Sequence, residues 1–210
     1  MTRSGGSDIR SAILQEARKV LVEQGYRSLS MRPLASAVGC TATSIYLYFK
    51  NKDALIHALI DEGMGMLHQH LTAALAVADN AAGANGTDNF VDAAERMRLL
   101  ASAYFDFGLA NPEYYEVMFM LHPKFMERYP AEMFRRARRN LELFARQLHE
   151  GEGMLPEDRH AQGAQVWSSL HGAVSLLIAN RVDIRIPAEK LRGLAIDQAV
   201  SVAAAHPQSN

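Results

Sequence analysis

Cysteine is nearly absent: the 210 residues contain one, Cys40, so an intrachain disulfide and a cysteine-rich zinc site are both excluded. Cys40 itself reads as a small turn residue, with a reactive thiol the rarer meaning. Long apolar runs are also missing, none approaching the roughly 20 residues of a membrane span, and the opening MTRSGGSD lacks the apolar stretch of a secretory signal. The expected location is therefore cytoplasmic. No Gly-x-Ser-x-Gly elbow and no glycine-rich phosphate loop occur. Nor do the histidines assemble a metal site. His68 and His70 stand two apart on an expected helix and point to nearly opposite faces, while His122, His149 and His160 have no local cluster of carboxylates or thiols. The expectation is a protein that is not an enzyme, with no catalytic residue, no metal and no cofactor.

Net charge is nearly absent too, at −1, but it is unevenly placed. Residues 1–60 hold eight Lys and Arg against four Asp and Glu, hence +4; the other 150 hold fourteen against nineteen, hence −5. A basic head on an acidic body suits local contact with phosphates and limits adhesion elsewhere. Hydrophobic residues make up 49% of the chain, enough to bury a core in one or two domains.

The most informative stretch is residues 29–55, LSMRPLASAVGCTATSIYLYFKNKDAL. It reads as two short helices around a turn, followed by a tyrosine-rich segment. Ser30 is placed to cap a helix whose Leu34, Ala35 and Val38 share a face, and Pro33 sits in its first turn, where a missing N–H removes no helical bond. Gly39 allows the positive φ of a sharp corner. Thr41 is placed to cap a second helix from about Ala42 to Tyr48, with Ile45 and Phe49 turned inward and Thr43, Ser44, Leu47 and Tyr48 outward. Asn51 caps the next helix. Lys52 and Asp53 follow it, so a cation and a helix N-terminus coincide where a DNA phosphate would fit.

From Ile9 to Ile60 the chain resembles the N-terminal domain of tetracycline-repressor-like (TetR family) regulators. Leu34-Ala35, Gly39, Ser44-Ile45-Tyr46, Tyr48-Phe49 and Lys52-Asp53-Ala54-Leu55 carry the resemblance. Cys40, Thr43 and Tyr48 depart from the family's usual valine, glycine or alanine, and histidine. By position, the resemblance implies that Thr43, Ser44, Tyr46 and Leu47 meet double-stranded DNA, with Thr41, Tyr48 and Lys52 mainly on phosphates. Leu47 adds its own argument, since an outward leucine is poorly explained by a core and suits a thymine methyl. Arg32 matches a position that can reach a base, and arginine binds guanine O6 and N7 bidentately; a phosphate contact or a solvated charge is the alternative.

Elsewhere the pattern is helical throughout, and about nine helices are expected in an all-α fold. A first helix covers Asp8 to about Gln24, closed by Gly25. A fourth runs from Lys52 to about Ala78, interrupted by Gly63 and Gly65, which read either as a hinge or as close packing. Asp79 to Asn89 is an expected loop. Further helices are expected from about Phe90 to Ala110, Pro112 to Leu121, Ala131 to Glu150, Pro156 to Arg181 and Pro187 to His206, with loose tails. The expected division is a helix-turn-helix domain at 1–52 and a helical effector-binding and dimerisation domain at 53–210.

Asn111-Pro112-Glu113-Tyr114-Tyr115, Met118-Phe119 and Trp167, His171, Gly172 resemble the effector domain named in that family for its Trp-His-Gly motif. Tyr104, Phe105, Tyr115, Met118, Phe119, Trp167 and His171 are candidates to line a ligand pocket, since such sites are mostly apolar and lie between helices; ordinary core is the alternative for each. With no excess of arginine near them, the implied effector is small, lipophilic or aromatic, and uncharged or weakly cationic. Val166, Leu170, Val174 and Leu177, with Leu191, Leu194, Ala195 and Val202, form two apolar faces that suit a homodimer interface, or packing within one chain. Arg135, Arg136, Arg138, Arg139 and Arg146 read as a solvated helix face. The family implies a one-component transcriptional regulator, a repressor, that binds a palindromic operator as a dimer and is released by the effector. A ligand-binding or scavenging protein with a non-functional head is the second reading.

Overall fold

The computed structural model describes residues 4–84, 92–120, 131–148 and 155–204, less the side chains at 4–7, 80–84, 131–134 and 136. All-α architecture holds: nine α-helices and no strand occur among the described residues. They are α1 (Ser4–Gln24), α2 (Met31–Ala37), α3 (Ala42–Tyr48), α4 (Lys52–Ala84), α5 (Ala93–Ala110), α6 (Pro112–Tyr115), α7 (Ala131–Ala145), α8 (Pro156–Ile178) and α9 (Ala188–Ala204). A 3-10 turn at Tyr26–Ser28 and a π turn at Glu116–Met120 complete the set. The ends 205–210, the segment 149–154 and the second half of the expected 79–89 loop lie outside the described residues, as do His122 and His149.

Two compact units divide the chain, one drawn from 1–64 and 111–134, the other from 65–110 and 135–210. In the first, α1 buries Ile13, Leu14, Ala17 and Leu21, and ends where Gly25 takes φ 78° and donates to the Leu21 carbonyl. The other positive-φ glycine, Gly39 at φ 72°, makes the corner between α2 and α3, as its conformational freedom allows. Ser30 occupies the N-cap position of α2 but its side chain makes no capping bond, which corrects that expectation. The first unit also extends past residue 52, because Leu55, Ile56, Leu59 and Ile60 of α4 are buried, and because the 111–120 segment is tied to α1 and α4.

That tie explains one of the two glycines in α4. The helix runs unbroken from Lys52 to Ala84, so neither glycine interrupts it, and residues 79–84 are helical rather than loop. A Cβ on Gly63 would lie 2.8 Å from Met118 Cγ and 3.2 Å from Tyr114 Cδ1. Gly63 is therefore a notch for the π turn. Around it the Tyr114 hydroxyl donates to Glu62 at 2.7 Å, Arg18 of α1 stacks 4.4 Å over the Tyr114 ring, and Arg18 pairs with Glu113 at 3.0 Å. Burial first, then the bond and charge of Glu62, push the Tyr114 hydroxyl up to about 12. A Cβ on Gly65, in contrast, would meet nothing within 4 Å.

In the second unit α5, α8 and α9 pack against one another. Met97, Leu100, Tyr104 and Phe105 of α5, Val166, Leu170 and Val174 of α8, and Ala195, Ile196 and Ala199 of α9 are all buried. Arg98 and Asp197 at 3.1 Å, and Arg192 and Asp106 at 2.7 Å, join α5 to α9 at the surface. Such exposed pairs add little stability. Ser169 and Gln198, at 3.0 Å, fix the register between α8 and α9.

Candidate functional site

α3 has one face for the core and one for solvent. Ile45 and Phe49 are 0% and 3% exposed, and they anchor the helix. The Thr41 hydroxyl accepts from the Ser44 N–H at 3.0 Å and lies 2.7 Å from the Ser44 hydroxyl. A cap of this kind contributes about 1 kcal/mol. On the opposite face Leu47 is 82% exposed and Tyr46 51%. Thr43 is exposed beside them, with Ser44 and Tyr48 half-buried. Arg32 and Pro33, at the start of α2, are exposed as well.

Asn51 caps α4 by accepting from the Ala54 N–H at 2.8 Å. The two first-turn residues behind it are both engaged with Tyr26. Lys52 lies 3.6 Å from the centre of the Tyr26 ring and donates to the Tyr26 carbonyl, while the Tyr26 hydroxyl donates to Asp53 at 2.8 Å. Burial, with the bond and charge of Asp53, pushes the Tyr26 hydroxyl up to about 12. Burial also lowers the Lys52 ammonium from its usual value, against the opposing pull of Asp53. An ammonium has three donors, so the one given to Tyr26 leaves capacity for a phosphate. Sequence reading missed Tyr26, because the contact spans 26 positions and comes from a 3-10 turn with no pattern of its own.

All eight expected DNA-contacting residues, Arg32, Thr41, Thr43, Ser44, Tyr46, Leu47, Tyr48 and Lys52, belong to the first unit, and each is exposed or half-buried. The expected pocket residues do not form one such group. Tyr104, Phe105, Trp167 and His171 belong to the second unit, Tyr115, Met118 and Phe119 to the first. Tyr104, Phe105 and Tyr115 are fully buried. In the second unit Trp167 and His171 stack with centroids 5.1 Å apart, and His171 lies 3.4 Å from both the Tyr104 and Ser175 hydroxyls. Burial lowers the His171 imidazole from its ordinary value. In the first unit Tyr115 and Phe119 meet edge to face at 4.9 Å.

Of the expected dimer faces, Val166, Leu170, Val174 and Ala195 are 0% to 6% exposed within the chain. Leu177, Leu191 and Val202 are half-buried and Leu194 is 58% exposed. His68 and His70 have separate neighbours, Asn140 at 2.9 Å and Phe107 at 6.1 Å between rings. Among the described residues no three His, Cys, Asp or Glu are grouped to hold a metal, and no helix is long and apolar enough to cross a membrane. The side chains of Arg135, Arg138, Arg139 and Arg146 on and after α7 are exposed.

Two family models match this chain. The one described as bacterial regulatory proteins, tetR family, matches residues 13–59, and the one described as tetracyclin repressor-like, C-terminal domain, matches residues 97–198. The tetracycline repressor protein class C of Escherichia coli is 35% identical over 63 residues, 30% of this chain and 29% of that protein. The fatty acid metabolism regulator protein of Bacillus subtilis (strain 168) is 34% identical over 59 residues, 28% of this chain and 30% of that protein. The match thus spans less than a third of either relative's length. The solved fatty acid degradation regulator of Bacillus halodurans shares the fold over 100% of both chains, with a TM-score of 0.66 at 18% identity.

Proposed function

Since the chain belongs to the tetR family of bacterial transcriptional regulators, we propose that it is a one-component repressor. It binds a palindromic DNA operator as a homodimer and leaves it when a small lipophilic or aromatic effector enters the helical body. The observation that carries this reading is Leu47, 82% exposed on a capped, core-anchored α3. A large apolar side chain held outward on a rigid helix is explained by a partner surface, and a thymine methyl in the major groove is one it fits. Thr43, Ser44 and Tyr46 share that face, and Arg32 stands at the start of α2.

The operator would be selected from random duplexes and titrated against Arg32→Ala and Leu47→Ala. Each is expected to cost about 1 to 3 kcal/mol at one base position and to relax preference there. A uniform loss across operator variants would reduce the residue concerned to a backbone contact. No selected sequence at all would sink the regulator reading.

The effector class rests on the aromatic and methionine content of α5 and on Trp167 and His171 of the same unit. Because relatives are named for fatty acid metabolism and degradation, the first screen includes fatty acids beside neutral aromatics. Thermal stabilisation by these compounds is the expected result, because a ligand that binds only the folded state raises its stability by mass action. Stabilisation by phosphorylated or polyanionic compounds alone would overturn the assignment.

A further inference from the structure

We infer that the effector carries a neutral hydroxyl or carbonyl on a flat apolar ring, and that His171, with Tyr104 and Ser175, reads that group. The inference rests on the effector reading above and specifies the chemistry of the ligand's polar end. Trp167, His171 and Ser175 follow one another at four-residue spacing along a single stripe of α8, and all three are half-buried. Their neighbours Val166, Leu170 and Val174 are at most 3% exposed, so the stripe lies at the margin of the core. Tyr104 reaches it from α5. Its hydroxyl is 3.4 Å from His171 Nδ1, and the Ser175 hydroxyl is 3.4 Å from His171 Nε2. Both separations are long for a hydroxyl bond, whose usual length is about 2.7 to 2.8 Å, so either hydroxyl can turn to a ligand at small cost. A neutral imidazole has one donor and one acceptor nitrogen and exchanges them between tautomers, while each hydroxyl both donates and accepts. The trio therefore suits a hydroxyl as well as a carbonyl. The Trp167 indole, stacked on the imidazole at 5.1 Å and 16°, extends this polar end into a flat apolar surface, which suits an aromatic ring.

Charge decides against an ionised head group. Burial lowers the His171 imidazole from its ordinary value, which keeps it neutral. From Gly65 onward α4 has no lysine or arginine. The arginines of α5 and α9 are each held by a carboxylate, Arg96 by Asp79, Arg98 by Asp197 and Arg192 by Asp106. On α8 itself Arg159 stands more than three turns before His171, and Arg135, Arg138, Arg139 and Arg146 are exposed. The other histidine and amide brought together in this unit, His68 and Asn140 at 2.9 Å, are a polar pair with no carboxylate or guanidinium in it. A carboxylate or phosphate seated at His171 would meet no counter-charge, which costs far more than burying a neutral polar group. An ammonium fares no better, since Asp79, Asp106 and Asp197 already serve the arginines.

The test uses three probes that share one ring system and differ only at the polar end: biphenyl, para-phenylphenol and para-phenylbenzoate. Trp167 is the only tryptophan in the chain, so a change in its emission locates binding, while calorimetric titration gives the dissociation constants. Para-phenylphenol is expected to bind the wild type about fivefold tighter than biphenyl, the worth of one net hydrogen bond, and para-phenylbenzoate to bind weakest of the three. His171→Phe keeps a ring against Trp167 and is expected to bring para-phenylphenol to the level of biphenyl while leaving biphenyl unchanged. The wild-type ranking tests the inference even if that variant fails to fold. An equal loss for both probes would make His171 a packing residue and overturn the inference. Para-phenylbenzoate binding as tightly as the phenol also overturns it, and leaves the effector reading in place. If neither the three probes nor any compound of the first screen binds, both fall.

Discussion

The outward face of α3 and the buried aromatics of the two units use similar residue types in opposite ways. Leu47 and Tyr46 are exposed on a helix whose other side is fully anchored, whereas Tyr104, Phe105 and Tyr115 are 0% exposed. Apolar side chains that the core does not account for point to a partner. The buried ones have two explanations at once, since a ligand-lining aromatic and a core aromatic look alike until one is removed.

Removal should separate them most sharply at Phe105. As a core residue, Phe105→Ala costs about 3 to 5 kcal/mol in urea unfolding, while Leu47→Ala changes stability by less than about 0.5 kcal/mol. A cost at Phe105 near that of Leu47 would mean its surroundings are not close-packed, which favours the pocket.

The adjacent glycines of α4 offer a second contrast. Gly63→Ala drives a methyl into Met118 and should cost about 1 to 3 kcal/mol. Gly65→Ala enters open space in a helix and should stabilise by up to about 1 kcal/mol. The double variant Gly63→Ala with Met118→Ala recovers part of the loss if the notch is the cause. Equal effects at the two glycines would remove the notch and restore the hinge reading.

Within the head, Lys52→Ala should weaken binding to all duplexes alike and lower the salt slope by about one unit. Tyr26→Leu should reproduce part of that change and Tyr26→Phe almost none, because the ring holds the ammonium and survives in phenylalanine. An unchanged slope for Lys52→Ala would assign the lysine to packing on Tyr26 alone.

The smallest effect is expected at His171. Its imidazole is lowered in the fold by burial from its ordinary value of 6.5, so the unfolded chain takes up the proton first as pH falls. Stability is full above that ordinary value and is lost as pH falls through the lowered one. The melting temperature of wild type should fall more than that of His171→Gln between neutral pH and mild acid. Parallel curves would show that His171 carries no such linkage.

What the sequence made legible was local. Thr41 with Ser44, Asn51 with Ala54, and the positive-φ glycines at 25 and 39 act over four residues or fewer. Their chemistry is therefore readable from spacing, and α3 lies at the expected bounds, Ala42 to Tyr48. The misses were of two kinds. Ser30 had the right position without the bond, and Asp79 to Ala84 carried turn-forming residues yet continued α4. The rest were contacts far apart in the chain, such as Tyr26 with Lys52, Tyr114 with Glu62 and Met118 with Gly63. No spacing rule reaches across those separations. Burial of Val166, Leu170 and Val174 within the chain belongs with them, since an apolar stripe does not say which neighbour covers it.

The π turn at Glu116–Met120 closes its hydrogen-bonded ring with one residue more than an α-helix uses. In effect it is an insertion, and it sets the angular phase at which Met118 reaches the Gly63 notch. Substitutions within the turn change what a side chain is but leave that phase alone. Deleting one residue rotates whatever follows by about 100°, the advance per residue of a helix with 3.6 residues per turn. Between Glu116 and Met120 the number of residues therefore constrains this protein independently of their identity, a constraint to which a library built only from substitutions is blind.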